Sequence, residues 1–258
     1  MKTKKFLLPA IVLVILLSAA LLAKPAYLLY RDVSFSWDVR SDRAMEVKAF
    51  AESQNLSIGH WPWEIIELYE RNPETRDFVL NYPYRQERKP DLSAYSRDTV
   101  PLFLQWDPMW GYETYGASCI AVTGCGPTCL AMAGYYLTGD PSFNPGDIAA
   151  FAEKAGYYEK GYGSSWTLIS EGAGKLGLAA TELPLVKKKM VDALEAGSPI
   201  ILALGKGDFT SSGHYILLTG WNGEAFSVND PNSRENSEKA WTYEQLEHQI
   251  RNIWKIEA

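Results

Sequence analysis

The sequence predicts an α+β protein in which helical segments come first and an antiparallel sheet follows. Before residue 197, apolar residues recur at helical spacing, as where Ile65, Leu68 and Tyr69 fall on one face of a segment. After residue 198 the apolar residues form short runs separated by glycines, as expected of neighbouring strands. These runs occupy residues 199–204, 215–221 and 225–228. Helices followed by strands are typical of the α+β class.

The composition is that of a globular protein with an acidic body. The chain has 258 residues, 47% of them hydrophobic and 13% aromatic, which is enough for a sizeable core. The net charge is −6, and setting aside the four lysines that precede Tyr27 leaves −10 for the remainder. A nucleic-acid partner is therefore not expected, because phosphate binding needs a basic surface.

Residues 1–26 predict a signal peptide or a membrane anchor. The run from Phe6 to Ala23 carries no charge and, as a helix rising about 1.5 Å per residue, would span roughly 27 Å. The lysines ahead of it predict a cytoplasmic N-terminus and an exported body. Ser18, Ala19 and Ala20 suit cleavage by a signal peptidase, but the apolar run continues beyond them, which favours a retained anchor. We expect a membrane-attached, extracytoplasmic body, or a secreted one if the segment is cleaved.

Residues 27–96 predict a helical extension. Ser41 or Asp42 can cap a first helix, a second follows Trp61-Pro62, and a third begins at Asn72-Pro73. The extension is interpreted as an adaptor that packs on the rest of the chain, with binding of a protein partner as the alternative. The polar, breaker-rich stretch at residues 82–96 marks the boundary, so residues 97–258 form a second domain.

Within this second domain, residues 100–106 predict a short strand and the segment after Gly124 predicts a helix. Further helices are expected from Asn144-Pro145, from Trp166 to Lys175, and over residues 186–196. The helical part thus precedes the sheet.

The stretch around Cys125 is the strongest candidate for chemistry. Gly126 permits a sharp turn and Pro127 suits a first helical turn, so Cys125 is predicted at a helix N-terminus. The unpaired N–H groups and positive dipole end there stabilise a thiolate over a thiol. A buried structural cysteine is the alternative that the isolated residue would favour.

Three cysteines, Cys119, Cys125 and Cys129, lie close together in the sequence. In an exported chain these three cysteines cannot all pair with one another, so at least one is free or pairs with a cysteine of another chain. Cys125 is interpreted as that residue, and a disulfide between Cys119 and Cys129 is left open.

A thiol nucleophile needs a base and a group that orients the base. Of the three histidines, His214 opens a predicted strand after a glycine and serine stretch, whereas His60 lies in the extension and His248 in a polar segment. Asp230 ends the next strand, and an antiparallel neighbour could bring its carboxylate to the imidazole. An Asp-Pro turn that merely ends the strand is the alternative.

Stabilisation of an oxyanion needs hydrogen-bond donors aimed at the developing charge. The N–H of Cys125 can supply one. Gln105, upstream of the cysteine at the end of a predicted strand, is the best-placed side-chain amide by its position in the chain, and a solvated glutamine is the alternative.

The order of these motifs resembles the bacteriocin-processing cysteine peptidases, cysteine peptidase family thirty-nine, which have a papain-like fold. The resemblance covers about residues 100–258. It rests on Gln105-Trp106-Asp107, Gly124-Cys125-Gly126-Pro127-Thr128, Gly213-His214 and Asp230-Pro231. It implies Cys125 as nucleophile, His214 as general base and acid, Asp230 as its orienting group and Gln105 in the oxyanion hole. Cys129 matches a second cysteine that is not the nucleophile in some members.

The resemblance predicts a stand-alone, exported or membrane-anchored peptidase that cleaves peptide bonds outside the cell through a thioester on Cys125. Leader-processing members are fused to a transporter, so cytoplasmic leader maturation is not expected here. No G-x-S-x-G elbow or H-E-x-x-H zinc motif occurs, and no cofactor is expected. The alternatives are a cell-wall peptide amidase or transpeptidase with the same triad, and a peptide- or glycan-binding module without turnover.

Overall fold

The computed structural model describes residues 23–32 and 41–258, which fall into two compact units divided between Pro83 and Tyr84. The predicted anchor, residues 6–23, lies almost entirely outside the described residues. Among the residues that are described, no helix combines the length and apolarity needed to cross a membrane.

The first unit is helical, as predicted. Residues 23–32 are helical (α1), and the other helices are α2 (Asp42–Ser53), α3 (Trp63–Arg71) and α4 (Arg76–Leu80), with 3-10 turns at Ile58–His60, Pro73–Thr75 and Tyr82–Tyr84. Of the two capping candidates, Ser41 caps α2, because its Oγ accepts a hydrogen bond from the N–H of Ala44. Trp61 is fully buried in this unit and donates its Nε1–H to Val79 O at 2.7 Å.

The second unit contains a six-stranded antiparallel sheet and the remaining helices. The helices are α5 (Ile120–Thr123), α6 (Cys125–Thr138), α7 (Pro145–Lys154), α8 (Ala173–Lys175), α9 (Lys187–Glu195), α10 (Arg234–Ser237) and α11 (Tyr243–Glu247). The strands are β1 (Thr114–Tyr115), β2 (Ser118–Cys119), β3 (Tyr158–Glu159), β4 (Gly163–Ser164), β5 (Ala179–Glu182), β6 (Ile200–Leu204), β7 (His214–Trp221), β8 (Phe226–Asn229), β9 (Ala240–Trp241) and β10 (Ile250–Glu257). The mixture of helix and antiparallel sheet confirms the α+β class.

The large sheet has the strand order β5-β10-β6-β7-β8-β9, while β1–β2 and β3–β4 are separate two-stranded hairpins. The register pairs Leu202 with Ile216 and Leu217 with Asn229. Strand β10, which the sequence did not predict, lies between β5 and β6.

Both faces of the central strands are buried, which explains their uninterrupted apolar runs. On one face, Ile201 and Leu217 join the core that contains α6. On the other, Ile200 and Ile216 join a second core that contains Met190 of α9. Helix α6 is therefore held against the sheet by apolar packing along its length.

One expectation needs correction. Residues 100–106 form no strand; they run extended, and Gln105 N–H donates to Pro231 O at 2.7 Å instead of joining a ladder. The helix expected from Trp166 to Lys175 is present, as a π-helical segment, Leu168–Gly172, that continues directly into α8. No disulfide joins Cys119 to Cys129, so that open alternative is not realised.

Candidate active site

Helix α6 begins at Cys125, as the glycine and proline predicted. Gly126 is required by packing, because a Cβ at this position would lie 2.8 Å from the Cβ and Oγ of Ser164. The missing side chain lets the start of α6 approach β4, whose residues form one wall of the cleft beside the thiol.

The environment of Cys125 favours the thiolate. Burial of the sulfur raises the pKa of Cys125 and so opposes ionisation. The hydrogen bond and charge of His214 lower this pKa, and backbone hydrogen bonds at Tyr215 and Gly126 lower it further. The net result is a pKa of Cys125 below the ordinary value for a thiol. Since a thiolate is the nucleophilic form of cysteine, the lowered pKa increases the fraction of Cys125 that can attack a carbonyl carbon.

His214 lies at the start of β7 and contacts both partners that the sequence suggested. Its Nε2 is 2.7 Å from Asp230 Oδ1, and its ring also hydrogen-bonds Cys125. Burial disfavours the imidazolium, but the charge and hydrogen bond of Asp230, together with Cys125, raise the pKa of His214 to about 10. Cys125 and His214 are thus arranged as a thiolate–imidazolium pair.

Asp230 follows β8, next to β7, and only 1% of its surface is exposed. Its Oδ1 accepts a second hydrogen bond, from Asn232 N–H at 2.8 Å, and its Oδ2 accepts one from Asn236 Nδ2 at 2.8 Å. These donors satisfy a buried carboxylate that would otherwise be costly to desolvate. Asn236 was missed by the sequence argument, because one asparagine in a polar segment carries no distinguishing signal.

Gln105 is buried near this turn but is not shown to contact Cys125. Its Nε2 donates to Ala121 O at 2.7 Å, and its Oε1 has no partner among the described residues. The neighbouring Trp106 donates its Nε1–H to Asn232 O at 2.9 Å, so the segment is fixed against the turn that carries Asp230. The alternative of a solvated glutamine is therefore wrong.

Cys129 lies one turn beyond Cys125 on α6 and is fully buried. Burial, together with the nearby charges of Cys125 and Asp230, raises its pKa well above the ordinary value. A thiol in this state is unreactive. The pKa values of these two cysteines, which are four residues apart, shift in opposite directions because of the His214 ring. The ring hydrogen-bonds Cys125 and lowers its pKa, whereas no such bond contributes at Cys129.

A cleft of about 310 Å³ opens beside Cys125 and His214. One wall is the β3–β4 hairpin and the segment after it, and the other is formed by the ends of β6 and β7. Its lining residues are Cys125, Glu159, Tyr162, Ser164, Ser165, Trp166, Ala203, Leu204, Gly213, His214 and Tyr215. No role could be assigned from the sequence to the glycine and serine stretch before Trp166, but Tyr162, Ser164 and Ser165 of this stretch line the cleft.

These features define a class of protein. A thiol at a helix N-terminus, an imidazole at the start of a strand and a carboxylate after the next strand form the site of a cysteine hydrolase with a papain-like arrangement.

Comparison with known proteins identifies the family. Residues 97–257 match the model of the Peptidase_C39 like family, and the chain belongs to that family. It is a cysteine peptidase, as the sequence motifs predicted.

Two solved structures are similar to this chain. The peptidase domain of Streptococcus ComA, a bi-functional ABC transporter involved in a quorum-sensing pathway, is 20% identical over 61% of this chain and 96% of its own, with a TM-score of 0.43. A C39-like peptidase from Bacillus anthracis is 17% identical over 62% of this chain and 95% of its own, with a TM-score of 0.37. No match to a curated protein was found.

Proposed function

We propose that this peptidase hydrolyses amide bonds of peptides through a thioester on Cys125, with His214 and Asp230 completing the catalytic set. The observation that carries the proposal is the continuous chain of hydrogen bonds from Cys125 through His214 to Asp230, the last at 2.7 Å. The cleft that opens at Cys125 gives a peptide access to the sulfur.

In the acylation step, the Cys125 thiolate attacks the carbonyl carbon and the C=O pair moves onto oxygen. As the tetrahedral intermediate collapses, the C–N bond breaks and the imidazolium of His214 gives its proton to the leaving amine. The acyl group remains as a thioester on Cys125.

In the deacylation step, neutral His214 takes a proton from water while the water oxygen attacks the thioester carbon. Collapse of this second intermediate breaks the C–S bond and returns the thiolate beside an imidazolium. Asp230 stays ionised and holds the ring orientation throughout.

The oxyanion needs donors that are fixed before the reaction. We assign this role to the N–H of Cys125 and to the second amide proton of Gln105, since the Gln105 Nε2 already donates to Ala121 O. That bond and the burial of the side chain support a rigid donor. Such a group contributes about 10²–10³ in kcat where it has been removed from other enzymes.

Replacement of the nucleophile tests the proposal. Cys125→Ala is expected to lower hydrolysis of a mixture of exported peptides and wall fragments by at least about a thousandfold, as in other enzymes that lose a nucleophile. Cys129→Ala is the matched control on the same helix and should keep most of the activity. In parallel, iodoacetamide should label Cys125 at neutral pH faster than a free thiol, because the pKa of Cys125 is lowered. Equal activity of the wild type and Cys125→Ala would disprove the assignment.

We also propose that the peptidase domain acts outside the cytoplasm, attached by the apolar run at residues 6–23. The uncharged run and the lysines ahead of it support this orientation. In intact cells, externally added protease should then degrade the chain, and alkaline carbonate should leave it in the membrane pellet. Protection from external protease would contradict the proposal, and release by carbonate would indicate a cleaved segment.

A further inference from the structure

The wall of the cleft contains one carboxylate that the proposed reaction does not use. Glu159 lies in β3, opposite Gly163 in the β3–β4 hairpin, and lines the same cleft as Cys125. Its side chain is solvent-exposed and forms no ion pair with a described residue. Among the residues lining the cleft, Glu159 is the one charged group besides the Cys125–His214 pair.

An aromatic surface lies in the same wall. Trp166 is 50% exposed and lines the cleft. Its ring meets that of Trp254 edge to face, with centroids 6.0 Å apart and an interplanar angle of 77°. Because Trp254 is buried in β10, this contact holds Trp166 in place and leaves part of its surface open to an occupant of the cleft.

The charge of Glu159 acts on a neighbouring group that lines the same cleft. The pKa of the Tyr215 phenol is raised mainly by burial. The charges of Cys125, Cys129 and Tyr115 raise it further, and the negative charge of Glu159 adds to their effect. The Tyr215 phenol donates to Ser164 O at 3.3 Å, so Glu159 contributes a negative potential at a group beside the β3–β4 hairpin in the same cleft. Lys160, the next residue, does not line the cleft.

We infer that this cleft binds a basic side chain of the substrate, lysine or arginine, close to the bond that is cleaved. The Glu159 carboxylate pairs with the cationic group, and the Trp166 ring supports the aliphatic stem and contributes a cation–π contact. Ala203 and Leu204, which also line the cleft, suit the methylene groups of such a side chain. This inference rests on the proposed function and specifies its substrate class.

The expected effect is moderate, because Glu159 is exposed. Exposed ion pairs and exposed cation–π contacts each change an equilibrium by a small factor, so a preference of about fivefold to twentyfold for a basic over an isosteric neutral residue is expected. Screening by salt should reduce it.

The test uses the full chain and internally quenched peptides that differ at one residue. Lysine, arginine, norleucine or glutamate is placed at each of three positions on either side of the cleaved bond, which is located by mass spectrometry. We expect kcat/KM to be highest with lysine or arginine at one position. Glu159→Gln should bring the rates of the lysine and norleucine peptides to within about twofold of each other, through a loss of rate with the basic peptides.

Glu224→Gln is the matched control. Glu224 is exposed in the turn after β7, at the end of that strand opposite His214, so its loss should leave the preference intact. Trp166→Leu should lower the rates of the basic peptides more than that of the glutamate peptide.

Equal rates for lysine and norleucine at every position, or a preference that survives Glu159→Gln, would overturn the inference. Cleavage of no peptide, with rapid iodoacetamide labelling of Cys125, would also overturn the basic-residue assignment but leave the reactive thiolate standing. Cleavage of no peptide with labelling no faster than that of a free thiol would overturn both this inference and the proposed function.

Discussion

At the scale of single residues, the state of the site is set by the balance between burial and hydrogen bonding around His214. Burial alone would lower the pKa of the imidazole, yet Asp230 and Cys125 raise it to about 10, while the pKa of Cys125 falls below its ordinary value. The active ion pair therefore exists at pH values above the pKa of Cys125 and below that of His214. A bell-shaped pH profile follows, with Cys125 on its acid limb and His214 on its alkaline limb.

Asp230→Asn is expected to move the alkaline limb to lower pH. The carboxylate stabilises the imidazolium, so its removal lowers the pKa of His214 and narrows the range over which the ion pair persists. Activity at neutral pH should fall by at least about tenfold, and by up to about 10⁴ if the ring also loses its orientation. Measurement of kcat/KM and of iodoacetamide labelling against pH checks both effects.

Asn236→Ala provides a graded comparison. It removes the donor to Asp230 Oδ2 and leaves the contact between Asp230 Oδ1 and His214 intact. We expect a smaller loss of activity than with Asp230→Asn and a shape of the pH profile closer to wild type. A loss as large as that of Asp230→Asn, with an unchanged pH profile, would indicate a folding defect instead.

Part of this site could be predicted from the sequence. Cys125 was identified by the Gly-Pro helix start that follows it, and His214 and Asp230 by their positions at the ends of consecutive strands. The antiparallel pairing of β7 with β8 then brought the two side chains together. Asn236 could not be predicted in this way, because its contact with Asp230 depends on a turn whose shape no local pattern encodes.

At the scale of elements, helix α6 carries the proposed nucleophile, Cys125, and is positioned by close packing on its neighbours. Gly134, in the middle of this helix, faces the ring of Phe143, and a Cβ there would overlap the ring atoms. A glycine within a helix normally costs about 0.5–1 kcal/mol relative to alanine, so its presence here is explained by packing.

Gly134→Ala should therefore destabilise the protein in spite of the better helix propensity. Overpacking of a buried ring costs about 1–3 kcal/mol, which outweighs the gain in propensity. Gly174→Ala is the control, because a Cβ there meets no atom within 4 Å. Urea unfolding of both variants checks the prediction, and a Gly134→Ala variant as stable as the wild type would contradict it.

Two differences between the predicted and the observed strands, at residues 100–106 and at β10, have physical causes. Residues 100–106 are apolar because Phe103 and Leu104 are buried in a core, although their backbone does not join a sheet. Strand β10 was missed because charged residues, Arg251, Lys255 and Glu257, interrupt its apolar pattern. Burial and strand pairing are separate properties, and hydropathy reports only the first.

At the scale of the whole molecule, the second unit depends on a strand from the end of the chain. Strand β10 pairs with both β5 and β6, and Ile253, Trp254 and Ile256 are almost fully buried there. Without it, β5 and β6 would lose their shared neighbour and the backbone groups on both would be left unpaired.

Truncation after Gln249 is thus expected to abolish folding of the second unit, whereas residues 84–258 alone should fold and keep the reactivity of Cys125. Circular dichroism and limited proteolysis measure folding, and iodoacetamide labelling measures the site. A folded truncation product would show that β10 is dispensable. An unfolded 84–258 fragment would show that the second unit requires the first.

Local sequence patterns were enough to predict an α+β domain, a cysteine at a helix start, and a histidine and an aspartate at the ends of consecutive strands. These features depend on local rules for glycine, proline and alternating polarity, which act over a few residues. Only the packed structure shows that the pKa of Cys125 is lowered and that of Cys129 is raised, what surrounds Asp230, and that Glu159 and Trp166 share a cleft with Cys125. Those properties depend on desolvation and on contacts between distant segments, which exist only once the chain is packed.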